Sequence, residues 1–122
     1  MNMVETLVNQ SRNVMDLVKQ LRKVATKKGS KRTELIEKFT ANQHSFNVYT
    51  YASEEARQSK EVDHLKVKLD EFSSQFDPAR YEDDGEVNAE KINVLYREVL
   101  VAYNDMVVAL GYDKHVIDVE KF

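Results

Sequence analysis

The sequence predicts an all-α fold: an antiparallel bundle of three long helices, or four if the second helical segment breaks near residues 41–47. Three observations lead there. Apolar residues recur at alternating steps of three and four along most of the chain, which places them on one stripe of a helix. Glycine and proline are scarce. There are three glycines (Gly29, Gly85, Gly111) and one proline (Pro78) in 122 residues, where a β-rich chain needs many turn residues. Charged residues make up 32% of the chain and are mixed with apolar ones, as on solvated helix faces rather than in a disordered tract.

The first segment runs from about Asn2 to Lys28. Val4, Leu7, Ser11, Val14, Val18, Leu21 and Ala25 form its stripe, and Met15 and Leu17 widen it beyond a narrow coiled-coil seam. Lys27 and Lys28 suit a last helical turn, and Gly29 can adopt the left-handed cap. Ser30 or Thr33 can cap the second segment, with Glu34 in its first turn. From there to Phe76 neither glycine nor proline occurs. Leu35, Phe39, Asn42, Phe46, Tyr49, Ala52 and Ala56 continue a helical stripe, and Val62, Leu65, Leu69, Phe72 and Phe76 complete it. One unbroken helix of that length would reach about 65 Å and overhang its neighbours. Three outcomes follow. The segment breaks in the polar run 41–47, giving four helices. It stays continuous and its far half is completed by a partner chain. Or Phe46-Asn-Val-Tyr-Thr-Tyr51, rich in β-formers, makes a short strand.

Residues 73–88 read as a connector, with Asp77-Pro78 starting a short helical turn and the acidic stretch Glu82–Glu86 after it. Asn88 is a candidate N-cap for the third main helix, whose seam is Ile92, Leu95, Val99, Ala102, Met106 and Ala109. Tyr96, Tyr103 and Leu110 flank that seam, while Val94, Val101 and Val108, seven apart, fall towards another face. A helix apolar over most of its circumference marks a bundle centre or a subunit interface. Gly111 ends it, and the tail keeps Val116, Ile117, Val119 and Phe122, so it is expected to pack back.

Length fits one domain, 1–122, large enough for a core without staples. Cysteine is absent, which excludes disulfides, thiolate metal sites and cysteine nucleophiles and favours a reducing, cytoplasmic setting. The start of the chain lacks the pattern of a leader, and no apolar run approaches the roughly 18 residues of a membrane span.

Few residues suggest chemistry. Glu61-Val-Asp-His64 is one Glu-x-x-His element, which puts two metal-ligand types on one helix face; di-iron bundles need two such elements and two further glutamates. His44 and His115 have no glutamate three residues earlier, so a charged face is expected and no metal or cofactor. No serine lies in a Gly-x-Ser-x-Gly elbow, and isolated glycines do not make a phosphate loop. No catalytic residue is assigned, and the chain is expected not to be an enzyme.

Two surfaces remain. Lys19, Arg22, Lys23, Lys27, Lys28, Lys31 and Arg32 fall within fourteen residues holding no acid. Residues 1–40 carry nine basic and four acidic groups, net +5; residues 41–122 carry nine and seventeen, net −8. The basic segment suits an anion or an acidic partner, including the Glu82–Glu86 connector of its own or a neighbouring chain. It has no aromatic residue for stacking bases. The second surface is apolar: Val94, Val101 and Val108, with Tyr49 or Tyr51 as anchors, since those two tyrosines cannot both face one core. The expected function is a non-enzymatic protein–protein interaction module (adaptor, inhibitor or structural subunit) that forms a homodimer. The alternative is a nucleic-acid-associated accessory protein using Lys19–Arg32.

Overall fold

The computed structural model describes residues 2–122, and among them the secondary structure is helical throughout. Five α-helices follow one another: α1 Met3–Val24, α2 Ser30–Ala52, α3 Glu54–Arg57, α4 Lys60–Ser74 and α5 Ala89–Ala109. Single 3-10 turns at Asp77–Ala79 and Asp113–His115 punctuate the connector and the tail. Four of the helices are long. α1 packs on α2 and α5, and α4 packs on α5 and α2, so each long helix has two long neighbours. Gln10 meets Asn42 and Ala25 meets Arg32, so α1 and α2 approach in opposite senses.

Local chemistry sets the helix ends. The Asn2 side chain accepts from the Glu5 N–H at 2.8 Å and starts α1. Asn88 does the same for α5, accepting from the Lys91 N–H at 3.0 Å, as its sequence position predicts. At the other end of α5, Tyr112 N–H reaches the Val107 carbonyl and Gly111 N–H the Val108 carbonyl. That paired pattern needs a left-handed residue, and Gly111 supplies it at φ 85°.

Three expectations are corrected. α1 stops at Val24, four residues before Lys28, and Gly29 (φ 143°) stands before the first residue of α2 instead of closing α1. Neither Ser30 nor Thr33 caps α2: Ser30 is already helical, and the Thr33 hydroxyl donates to the Asp83 carboxylate at 2.6 Å. The long second segment breaks at Ser53 and Ser59, not within 41–47, where α2 is continuous and no strand forms. The polar residues of 41–47 find partners compatible with helix. The Asn42 amide donates to the Lys38 carbonyl one turn back, and the Gln43 amide donates to Asp70 on α4 at 2.6 Å. Phe46 is fully buried among them. Ser53 and Ser59 are both extended, and each caps the next turn, accepting from the Ala56 and Val62 N–H groups. The resulting corner folds α4 back along α2 and removes the overhang.

The core is aromatic at its centre. Phe39, Phe46, Phe72, Phe76 and Tyr103 are almost wholly buried, and Phe39 meets Phe72 edge-on at 5.8 Å between ring centres. Burying each such ring contributes about 1.5–3 kcal/mol before chain entropy is counted. The tail packs back, as expected. Tyr96 and Tyr103 donate their hydroxyls to the carbonyls of Phe122 (2.6 Å) and His115 (2.9 Å). Asn104 exchanges two hydrogen bonds with the backbone of Ile117, and the Phe122 ring stacks on Tyr96 at 5.1 Å.

Among the described residues one buried side chain is charged. Arg32 is 1% exposed, although it lies in the basic run. Its Nη1 donates to the Ala25 carbonyl at 2.9 Å, and its Nη2 donates to the carbonyls of Asp83 (3.0 Å) and Gly85 (2.6 Å). Gly29 N–H adds a bond to the Asp83 carbonyl at 2.9 Å. The guanidinium thus ties the end of α1 and the start of α2 to the acidic connector. Gly85 makes the approach feasible, because a Cβ there would lie 2.0 Å from the Pro78 carbonyl oxygen.

Replacing Arg32 by methionine strands the Ala25 and Gly85 carbonyls in a low-dielectric site, the Asp83 carbonyl keeping Gly29 N–H, and should lower stability by about 3 kcal/mol in urea denaturation. Lysine should not rescue it, because three acceptors need the planar fork. Gly85→Ala should cost about 1–3 kcal/mol by overpacking. A loss under about 1 kcal/mol in the arginine variant would contradict the clamp.

Burial raises the pKa of both Tyr96 and Tyr103 above the ordinary phenol value. A raised folded-state pKa means stability is complete below about pH 10 and falls as pH climbs through the folded value. Lys68, raised by its hydrogen bond to Glu98, acts in the same direction. Of the six tyrosines, Tyr96 and Tyr103 should therefore ionise last in a phenolate absorbance titration. Tyr103→Phe should flatten the alkaline loss of stability.

Candidate functional site

The basic segment is largely used inside the chain. Arg32 is buried in the clamp, which withdraws it from any surface. The Lys28 ammonium pairs with Glu86 at 2.6 Å and holds that carboxyl below its usual pKa. The connector of the same chain is thus one acidic partner of the segment. Arg22 lies over the Tyr96 ring at 4.9 Å and donates to the Asn93 side chain at 3.2 Å. Lys19 sits 5.7 Å from the centre of the Phe122 ring. Lys23, Lys27 and Lys31 are exposed around the α1–α2 turn, and among the described residues their side chains make no hydrogen bond or ion pair.

The apolar surface has a different form. Val94, Val101 and Val108 are each about half exposed (53%, 51% and 50%) on the outward side of α5, opposite the buried row Ile92, Val99 and Met106. Val67 on α4 is similarly bare at 52%. Tyr49 packs partly buried against the core, whereas Tyr51 is 68% exposed with the Lys66 ammonium 4.7 Å from its ring centre. The Arg57 guanidinium donates to the Tyr51 carbonyl and ties the ring's backbone to the corner after α2.

Between α4 and α5 lies an open groove of about 690 Å³, lined by Lys60, Glu61, His64, Ala102, Asp105, Val108 and Ala109. It holds both residues of the Glu-x-x-His element. Glu61, however, accepts the Ser59 hydroxyl at 3.2 Å and so belongs to the start of α4. Among the described residues no group of three or more His, Asp or Glu side chains is placed to hold a metal ion. No helix among them is long and apolar enough to cross a membrane.

A second cleft, about 730 Å³, runs between α1 and the tail. Asn9, Arg12, Asn13, Asp16 and Lys19 line it from α1; Lys114, His115, Val116, Ile117 and Phe122 line it from the tail, over a floor of Met15 and Tyr103. His115 is held below the usual imidazole pKa, first by desolvation and then by the charges of Arg12 and Lys114. Its ring stacks on Tyr112 at 6.3 Å between centres. Sequence reasoning assigned Lys19 to the basic run, weighed His115 only as a metal ligand, and passed over Arg12 and Lys114. The spacing Arg12–Lys19, two helical turns, marks one face of α1, but the other half of the cleft lies some hundred residues away along the chain.

The structure thus separates two sequence-predicted surfaces. The basic group lies around the α1–α2 turn and the α1–α5 seam, and the valine row lies on the outer face of α5. Comparison with protein-family models, curated proteins and solved structures finds no match for the chain.

Proposed function

We propose that this chain is a non-catalytic protein-interaction module that self-associates through the outer face of α5. The observation that carries this reading is the row Val94, Val101 and Val108. Three β-branched apolar side chains stand half exposed on successive pairs of turns, and among the described residues no segment of the chain covers them. A two-fold pairing of that row is self-complementary and needs no second surface. The core closes within one chain, so association joins two folded molecules and is not required for folding. An interface centred on three valines per chain is far smaller than obligate interfaces, which implies reversible dimers. Tyr51, exposed at the α2–α3 corner, is available to a different protein partner.

Sedimentation or light scattering across the micromolar range should show a monomer–dimer equilibrium. Val101→Glu should shift it to monomer while changing stability by no more than about 0.5 kcal/mol, because the side chain is outward. A monomer at high micromolar concentration would remove self-association from the proposal.

The second reading, a nucleic-acid accessory role, rests on Lys23, Lys27 and Lys31, the exposed cations left at the α1–α2 turn. Three phosphate contacts imply a salt slope of roughly −2 to −3 in log–log form. Anisotropy titration with an oligonucleotide in low salt should show weak binding that the triple alanine variant abolishes without unfolding. No binding in low salt would close this reading.

A further inference from the structure

We infer that the cleft between α1 and the tail is a binding site for a small phosphate ester of nucleotide size. It is distinct from the valine row and from the lysines of the α1–α2 turn.

The charge around it is unbalanced. Arg12, Lys19 and Lys114 line one cavity that contains a single carboxylate, Asp16. That carboxylate already accepts the Gln20 amide at 2.9 Å. Arg12 and Lys114 have no side-chain hydrogen bond or ion pair among the described residues. Elsewhere on this molecule cations in tight surroundings find acceptors: Lys28 has Glu86, Lys68 has Glu98, and Arg80 has Asp77 and Ser73. Arg12 and Lys114 share the lack of an acceptor with Lys23, Lys27 and Lys31 of the α1–α2 turn, but they line a concavity. Arg12, Lys114 and His115 line the same cleft, and both cations help to hold the imidazole below its usual pKa, after desolvation. Such a group of like charges converging on a concavity is relieved by an anion.

The shape narrows the class. A volume of about 730 Å³ lies in the range of small-molecule sites, and is far larger than a lone oxyanion fills. The lining is mixed: its apolar surface comes from the part-exposed Ile117 and Phe122, with Met15 and Tyr103 buried beneath, while Asn9 and Asn13 offer donors and acceptors along one wall. A ligand that matches has a multiply charged head for the guanidinium fork and the two ammonium groups, and a flat or apolar body for the floor. Arginine's planar fork fits the paired oxygens of a phosphate, and lysines add point charge. His115 can add a fourth cationic contact, since an anion beside it favours the protonated ring.

The mounting is firm. Tyr103 donates to the His115 carbonyl, Asn104 clasps Ile117, and Phe122 is stacked on Tyr96, so the tail wall is tied to α5 at three points. The other wall is a continuous stretch of α1. Little backbone entropy therefore remains to be lost on binding, and the ordering cost falls on the free side chains of Arg12 and Lys114.

The test is calorimetric titration of the whole chain with inorganic pyrophosphate, with an adenosine diphosphate, and with citrate as a non-phosphate trianion. Both phosphate probes should bind, with affinity falling as salt rises. Tighter binding of the nucleotide would show that the apolar floor takes part. Arg12→Gln and Lys114→Gln should each weaken binding about tenfold or more, the loss of one charge-assisted contact, with unchanged helix content. Lys27→Gln with Lys31→Gln should leave it unchanged. Failure of both phosphate probes to bind at millimolar concentration overturns the proposal. So does citrate binding as tightly as pyrophosphate, or an equal loss in the Lys27/Lys31 variant.

Discussion

The structure turns on a single cation taken out of water. Arg32 joins three stretches of chain: the turn after α1, the first turn of α2, and the backbone at Asp83 and Gly85. Its hydrogen-bond acceptors are carbonyl dipoles, not carboxylates, so the charge is solvated chiefly by backbone, with the Glu86 carboxylate near enough to feel it. That arrangement costs desolvation and returns it as definition, because the fork accepts few other geometries. The clamp fixes where the connector between α4 and α5 passes, and with it the start of α5 at Asn88. The aromatic core supplies most of the favourable free energy, while the arginine decides which loop path is used.

Much of this was legible in the residues. Scarcity of glycine and proline, the three-and-four spacing, the Asn88 cap and the Gly111 stop all describe helices that form, and the aromatic residues placed on core stripes are buried, except Tyr49, which is only partly so. The corner after α2 was misplaced because polarity was weighed above capping. Asn42 and Gln43 look like helix breakers, yet a neighbouring helix gives them partners. Ser53 before Glu54-Glu55, and Ser59 before an acid two residues on, are the stronger stop-and-start signals.

Arg32 shows the same lesson from the other side. Its register with Leu35, Ile36, Phe39 and Phe46 places it on the buried stripe of α2. The charge run around it argued for surface, and acceptors more than fifty residues away along the chain are invisible to local pattern. The cleft at the tail was hidden for a related reason. Arg12 and Lys114 sit in unremarkable polar surroundings, and only the return of the chain over α1 makes them neighbours. Side-chain periodicity reports what one helix does, whereas convergence of distant segments is a property of topology.

The seam between α1 and α5 has a consequence for how the chain is made. Arg22 meets Asn93, 71 residues further along, and Met15 shares a cavity floor with Tyr103. On the ribosome, the hairpin of α1 and α2 emerges long before its second cover. At synthesis rates of about 5–20 residues per second, that flank of α1 stays open for roughly 4 to 14 seconds. The nascent hairpin carries sticky, half-dressed surface throughout that interval, and crowding of ribosomes on one message is where this protein is most exposed to joining the wrong neighbour.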